Sequence, residues 1–367
     1  MQWYTIPDID KIDSPGLVFY VDRMIANIQL LKAMLPDLKR LRPHVKTHKC
    51  LEVSRLMIAQ GITHFKCATI AEAEMLGESA AEDVLLAYQP VGPNLLRFAQ
   101  LQGKYPQTRF SCLVDNAFSA GELADVATDY SIEFHVYIDV NVGMNRTGII
   151  PAKVSELATM ISETDRLKLL GLHAYDGHIH DEDFAQREEQ VKPIIASLTD
   201  LQTTLQNELN QQITVIAGGT PTFPMYAATT DFMCSPGTFI LWDQGYQNAF
   251  KEQGFLPAAL IVSRIISLPE KNVICTDLGH KAVAAENILS KRVSFLNAPE
   301  LLPLGQSEEH LTLQAKENHS YKVGDVLYGI PFHVCPTVAL HEFAYAIQPE
   351  TDIEIWPIIA RKRKITI

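Results

Sequence analysis

The feature that most constrains this chain begins at residue 42. Short apolar, β-branched runs alternate there with longer stretches of helical spacing, the pattern of βα units feeding a parallel sheet. Candidate strands fall at 44–46, 64–68, 84–88, 110–114, 133–140, 169–175, 214–217 and 232–235. Helical spacing fills the gaps at 71–76, 94–101, 117–127, 154–161 and a long 184–209. Eight such units in about 200 residues are the count and size of a (β/α)8 TIM barrel. The sequence therefore predicts an α/β fold with that barrel over 23–243.

After residue 242 the pattern changes. Segments 259–268, 273–277, 311–315, 326–340 and 352–360 alternate apolar and polar residues without helices between them. This predicts a C-terminal antiparallel β domain over 244–367. The apolar run 17–21, ahead of a helix-like stretch at 25–35, is surplus to the barrel, so residues 1–22 are expected to join the β domain. A chain of 367 residues, 47% of them apolar, can fill both cores. A net charge of -12 argues against a nucleic-acid surface, and the Arg361-Lys362-Arg363-Lys364 run reads as a solvated tail. No stretch has the length of a membrane span or a signal peptide, so no membrane partner is expected. The six cysteines sit mostly in apolar runs and read as reduced thiols of a cytoplasmic protein.

In such a barrel the active site lies at the C-terminal ends of the strands, with phosphate held by the loops after strands seven and eight. Those loops are Gly218-Gly219-Thr220-Pro221-Thr222 and Ser235-Pro236-Gly237-Thr238. Both offer backbone N–H groups and hydroxyls suited to a phosphate dianion, from Gly218, Gly219, Thr220, Gly237 and Thr238. At the end of strand one stands Arg42-Pro43-His44-Val45-Lys46-Thr47-His48-Lys49. Strand alternation puts Lys46 beside His44 at the barrel mouth, where a desolvated amine can attack an aldehyde; Lys49 belongs to the following turn. No other lysine is expected within reach. His44 and His48 have the spacing of helical metal ligands, but Pro43 argues against a helix. Strand five ends in Asn141-Val142-Gly143-Met144-Asn145-Arg146-Thr147-Gly148, whose Arg146 can hold a phenolate oxygen. Strand six ends in a dense titratable run from His173 to His180, in which Tyr175 and His178 are candidates for catalysis and Tyr175 also for cofactor contact.

This order resembles the fold-type III pyridoxal-phosphate enzymes, the alanine racemase family. The run at 42–49 resembles its D-threonine aldolase and D-serine dehydratase branch, as do Asp277-Leu278-Gly279-His280-Lys281 and His333-Val334-Cys335-Pro336-Thr337. The resemblance implies that Lys46 binds pyridoxal 5'-phosphate as a Schiff base, that Arg146 contacts a cofactor oxygen, and that His333 and Cys335 hold a divalent metal. Residues two apart on a strand face the same way, so an imidazole and a thiolate there can share an ion. A thiolate favours zinc, and a manganese-like ion is the alternative. The expected substrate is a D-3-hydroxy amino acid. Retro-aldol cleavage to glycine and an aldehyde is favoured, elimination to an oxo acid and ammonia is the close alternative, and a racemase is third. A regulatory protein carrying the same cofactor, or a metal hydrolase without it, would be the rival class. The resemblance also implies a homodimer in which each β domain closes the partner's barrel.

Overall fold

A computed structural model describes residues 2–349 and 351–367. The chain opens with β1 (Gly16–Tyr20) and α1 (Val21–Met34). Then come α2 (Leu51–Ala59), β2 (His64–Cys67), α3 (Ile70–Glu78), β3 (Asp83–Leu86), α4 (Pro93–Lys104), β4 (Arg109–Val114), α5 (Ala117–Asp129) and β5 (Phe134–Val140). The alternation continues through α6 (Val154–Ser162), β6 (Leu167–Ala174), α7 (Phe184–Leu209), β7 (Thr214–Ala217), α8 (Phe223–Thr229) and β8 (Met233–Cys234). The chain divides into two compact units. One holds Leu30–Lys46, Leu51–Gly237 and Lys362–Ile367, and the other holds the segment up to Gln29, Thr47–Cys50 and Thr238–Arg361.

In the first unit β2 to β8 form one parallel sheet in sequence order. β3, β5 and β7 are buried on both faces, which is why they read as nearly continuous apolar runs. The predicted first strand at 44–46 is not a strand. Val45–Thr47 winds into a 3-10 turn, and the extended residues before it make only two parallel bridges, Leu41 to Cys234 and His44 to Lys66. Those bridges carry the ring from β8 back to β2, so the eighth position is filled by a seam of four residues rather than by a ladder. Leu85, Leu113, Tyr137 and Ile216 pack as one apolar cluster. Under the seam Arg42 is fully buried and paired with Asp83, which also accepts from Arg109 Nε at 2.5 Å.

Local signals set the helix ends. Thr69 caps α3 by accepting from Glu72 N at 3.1 Å, while Glu72 accepts from Ala68 N at 2.6 Å, a reciprocal arrangement close to a capping box. Asp183 caps α7, accepting from Gln186 N at 3.0 Å, and Asn210 ends it in the left-handed region at φ 49°.

The second unit adds α9 (Gln244–Ala249), β9 (Ala259–Glu270), β10 (Val273–Thr276), β11 (Val293–Phe295), β12 (Leu302–Gln306), β13 (Leu311–Gln314), β14 (Val326–Pro331), α10 (Val334–Leu340), β15 (Phe343–Ile347) and β16 (Glu354–Pro357). Its nine-stranded sheet runs β12-β13-β10-β9-β1-β15-β16, with β14 on β9 and β11 on β14. β1 joins this sheet as expected, between β9 and β15. Two expectations need correction. The sheet is mixed, because β1 and β15 run parallel. The run 326–340 is also not one strand: it stops at Pro331, and α10 follows. Val18, Leu260, Val262, Ile330 and their neighbours form the core here, each such buried side chain contributing about 1.5–3 kcal/mol.

Candidate active site

A cavity of about 420 Å³ opens in the barrel unit, lined among others by His44, Lys46, Lys66, Arg146, His173 and Tyr175. Lys46 reaches it from the 3-10 turn rather than from a strand, and its backbone N–H donates to His44 Nδ1 at 3.2 Å. The Tyr175 ring is the common neighbour: Arg146 Cζ stands 5.0 Å from its centroid, Lys66 Nζ 5.6 Å and Lys46 Nζ 5.9 Å. Lys46, Arg146 and Tyr175, chosen from three separate loops, therefore meet on one wall. Lys49 lies in the following turn at φ 51° and does not line the cavity.

The glycine loop after β7 runs beside the same tyrosine. Gly218 adopts φ 71°, a conformation that glycine enters without a Cβ penalty, and its carbonyl accepts from Ser235 N at 2.9 Å. A Cβ on Gly219 would stand 3.1 Å from Tyr175 Cε2. Thr220 Oγ1 accepts from Gly237 N at 3.0 Å, joining the two loops that the sequence pairs. Thr238 falls in the other unit, where it opens a 3-10 turn. Ser235 Oγ is buried without a hydrogen-bond partner, an uncommon state for an interior hydroxyl. Asp176 anchors the glycine loop from below, accepting from Thr222 Oγ1 and from Tyr226 OH, each at 3.0 Å. Burial pushes its carboxyl up from the usual range despite these bonds.

The histidine-rich run after β6 divides. His173 is buried and turned to the cavity, while His178 and His180 are exposed. His178 sits over Gly143, its Nε2 2.9 Å from where a Cβ would stand, and it does not line the cavity.

Sequence reasoning misses Lys66, which lines the cavity, and Asp139 behind it, and reaches His173 only as the start of the titratable run. Lys66 Nζ lies 3.1 Å from His173 Nε2, and His173 Nδ1 lies 2.7 Å from Asp139 Oδ1. Burial, joined by the charge of Lys46, pulls Lys66 down to about 7. Burial also lowers His173, with Lys66 adding to it. For Asp139 burial works the other way, but its hydrogen bonds from His173, Thr147 and Gln89 outweigh it and hold the carboxyl below the usual range. A lysine in the middle of a four-residue buried strand was the available signal. It is a second amine on the cavity that Lys46 lines.

In the β unit His333 and Cys335 are neighbours, but not along a strand. His333 caps α10 and Cys335 lies in its first turn. His333 Nδ1 is 2.5 Å from Glu286 Oε1, and Cys335 Sγ donates to Thr47 Oγ1 at 3.2 Å. Burial opposes the imidazolium, yet Cys335, Glu286 and Asp243 together push His333 up to about 9. Among the described residues no three His, Cys, Asp or Glu side chains gather as a metal cage. The donor chemistry still fits a two-ligand site. A carboxylate holding one ring nitrogen is the usual outer support of a metal-bound histidine, and it leaves Nε2 for the ion beside a soft sulfur. The barrel residues likewise fit pyridoxal 5'-phosphate, with an amine for its aldehyde and, in Ser235, an unused buried hydroxyl beside two joined loops for its phosphate.

Residues 20–243 match the family model of the alanine racemase N-terminal domain, and the chain belongs to that family. Residues 258–347 match a serine dehydratase domain. A D-threonine aldolase of Arthrobacter sp. is 26% identical over 96% of this chain and 93% of its own. A 3-hydroxy-D-aspartate aldolase of Paracoccus denitrificans is 24% identical over 98% and 96%. The crystal structure of a D-threonine aldolase from Filomicrobium marinum superposes with a TM-score of 0.84 at 25% identity, covering 95% of each chain.

Proposed function

We propose that this chain is a lyase dependent on pyridoxal 5'-phosphate and a divalent metal, acting on D-3-hydroxy amino acids by retro-aldol cleavage to glycine and an aldehyde. The observation that carries the reading is the meeting of Lys46, Arg146 and Tyr175 on one cavity beside the joined glycine loops. The end-to-end likeness to two aldolases supports a lyase and favours the retro-aldol reaction.

Lys46 is the amine that would hold the cofactor aldehyde. Gly218, Gly219, Thr220, Ser235, Gly237 and Thr238 hold the phosphate, Arg146 holds the ring oxygen by a charge-assisted bond, and Tyr175 supports the ring. His178, on the loop after β6 and a candidate for catalysis from the sequence, stands over Gly143. When bound, the cofactor supplies an electron sink for the substrate carbon. His333 and Cys335 hold the metal, for which zinc is favoured and manganese is the alternative; the ion supplies Lewis acidity to the β-hydroxyl.

A second reading, elimination to an oxo acid and ammonia, is favoured by one observation. The residue two after His333 is a cysteine, where the aldolases of the resembled branch are associated with a carboxylate. The likeness over 258–347 to a serine dehydratase domain agrees with it. Six cysteines that form no disulfide among the described residues, five of them buried, support a cytoplasmic protein, and a homodimer belongs to the same reading. No helix is long and apolar enough to cross a membrane among the described residues.

Incubation with D-threonine and D-serine tests the reading through the products. Glycine with acetaldehyde supports the aldolase, and an oxo acid with ammonia supports the dehydratase. Turnover should vanish in Lys46→Ala and on chelation, with the cofactor retained after chelation. No turnover of either substrate by metal- and cofactor-loaded protein would refute the proposal.

A further inference from the structure

Lys66 stands in the middle of β2, 4% exposed, and its amine reaches the cavity that Lys46 also lines. Its hydrogen-bond partner is an imidazole, not a carboxylate. Behind that imidazole the acceptors are all engaged. Asp139 takes His173 Nδ1 on one oxygen and, on the other, Thr147 Oγ1 at 2.8 Å and Gln89 Nε2 at 3.1 Å. Gln89 Nε2 also donates to Asp115 Oδ2 at 3.0 Å, which takes Gly148 N at 3.0 Å. An ionised Asp139 fixes His173 as the Nδ1–H tautomer, so Nε2 must accept from Lys66. A neutral Lys66 then spends one N–H on His173 and keeps its lone pair for the cavity.

We propose that Lys66 is a second working amine of this site, a base that exchanges a proton with the reacting substrate, and that His173 and Asp139 are its positioning residues. The proposal rests on the lyase reading above. As the Cα–Cβ bond breaks, the β-hydroxyl proton passes to Lys66 Nζ and the carbonyl forms. The same proton then returns to Cα, taking up the electron pair left there and giving glycine. Atoms and charge balance with no co-reactant. The charges facing Nζ act in both directions: Lys46 and Arg146 disfavour the ammonium, while Asp139 and Asp176 favour it.

The test uses the holoenzyme with ¹³C-labelled lysine side chains, titrated by NMR. One resonance should titrate near 7 and be missing from Lys66→Met. In the aldolase assay Lys66→Met should lower kcat by about 100-fold or more with KM little changed, and the acid limb of the wild-type pH profile should disappear. Lys66→Arg keeps a donor to His173 but cannot lose its proton, so it should fold and be equally slow. Asp139→Asn should move the acid limb. A Lys66 midpoint above about 9, near that of an ordinary lysine, overturns the proposal, as does Lys66→Arg with wild-type kcat. If neither D-3-hydroxy amino acid turns over while Lys66 titrates near 7, the lyase reading fails and the neutral amine stands.

Discussion

Replacing Ser235 with alanine should have opposite consequences with and without the cofactor. Ser235 is 3% exposed and its hydroxyl is unpartnered, while its backbone is already tied to Gly218. A buried hydroxyl with no partner costs about 1–3 kcal/mol. In cofactor-free protein Ser235→Ala removes that cost, so stability should hold or rise by up to about 1 kcal/mol. With the phosphate bound, the hydroxyl donates to a charged acceptor, a bond worth about 1.5–3 kcal/mol. Losing it corresponds to an affinity weaker by about 10- to 100-fold. Equilibrium dialysis against pyridoxal 5'-phosphate reads the affinity, and thermal melts with and without saturating cofactor read the stability. Unchanged affinity would refute the phosphate assignment. A clear loss of cofactor-free stability would show that Ser235 already has a structural partner.

Two further outcomes follow from buried charge. Asp83→Ala should destabilise the barrel unit by about 3–5 kcal/mol in urea unfolding, because Arg42 is left buried without its counter-charge; a loss below about 1 kcal/mol would show that Arg42 finds water. For Lys66, with a folded value near 7 against an ordinary 10.5, the unfolded chain binds the extra proton between those limits. Wild-type stability should therefore rise relative to Lys66→Met as pH climbs through that window, and the difference should stay constant below it. A flat difference across the window would contradict a depressed Lys66.

The parts legible in the sequence were those with local punctuation. Helix α7 was read to the residue, because Asp183 and Asn210 mark its ends and its spacing is long. The parallel strands were legible because burial on both faces leaves few polar residues inside them. Three elements were misread for physical reasons. The 3-10 turn at Val45–Thr47 is too short to carry a period, so Lys46 was put on a strand; the cavity still receives it, since His44 and Lys46 both line the wall. The break between β14 and α10 hides in a run whose alternation suits either state, and Pro336 is tolerated in a first helical turn. The parallel pairing of β1 with β15 joins Val18 to Tyr345, a separation no window can see. Within the site, Lys46, Arg146, the glycine loops and the run that begins at His173 stand out as motifs, whereas Lys66 and Asp139 lie in other strands and acquire meaning only when the ring brings them to His173.

The position of β1 also bears on how the chain is made. Its neighbours in the sheet are β9 and β15, so the first strand to leave the ribosome has no hydrogen-bonding edge until more than 200 residues have followed it. The strands and helices of the barrel need only neighbours close in sequence, apart from the final seam of Leu41 with Cys234. Synthesis therefore favours a barrel that condenses early while residues 16–20, apolar and unpaired, wait in the nascent chain. That waiting segment is where chaperone binding, or misassociation with another chain at high expression, should first be found.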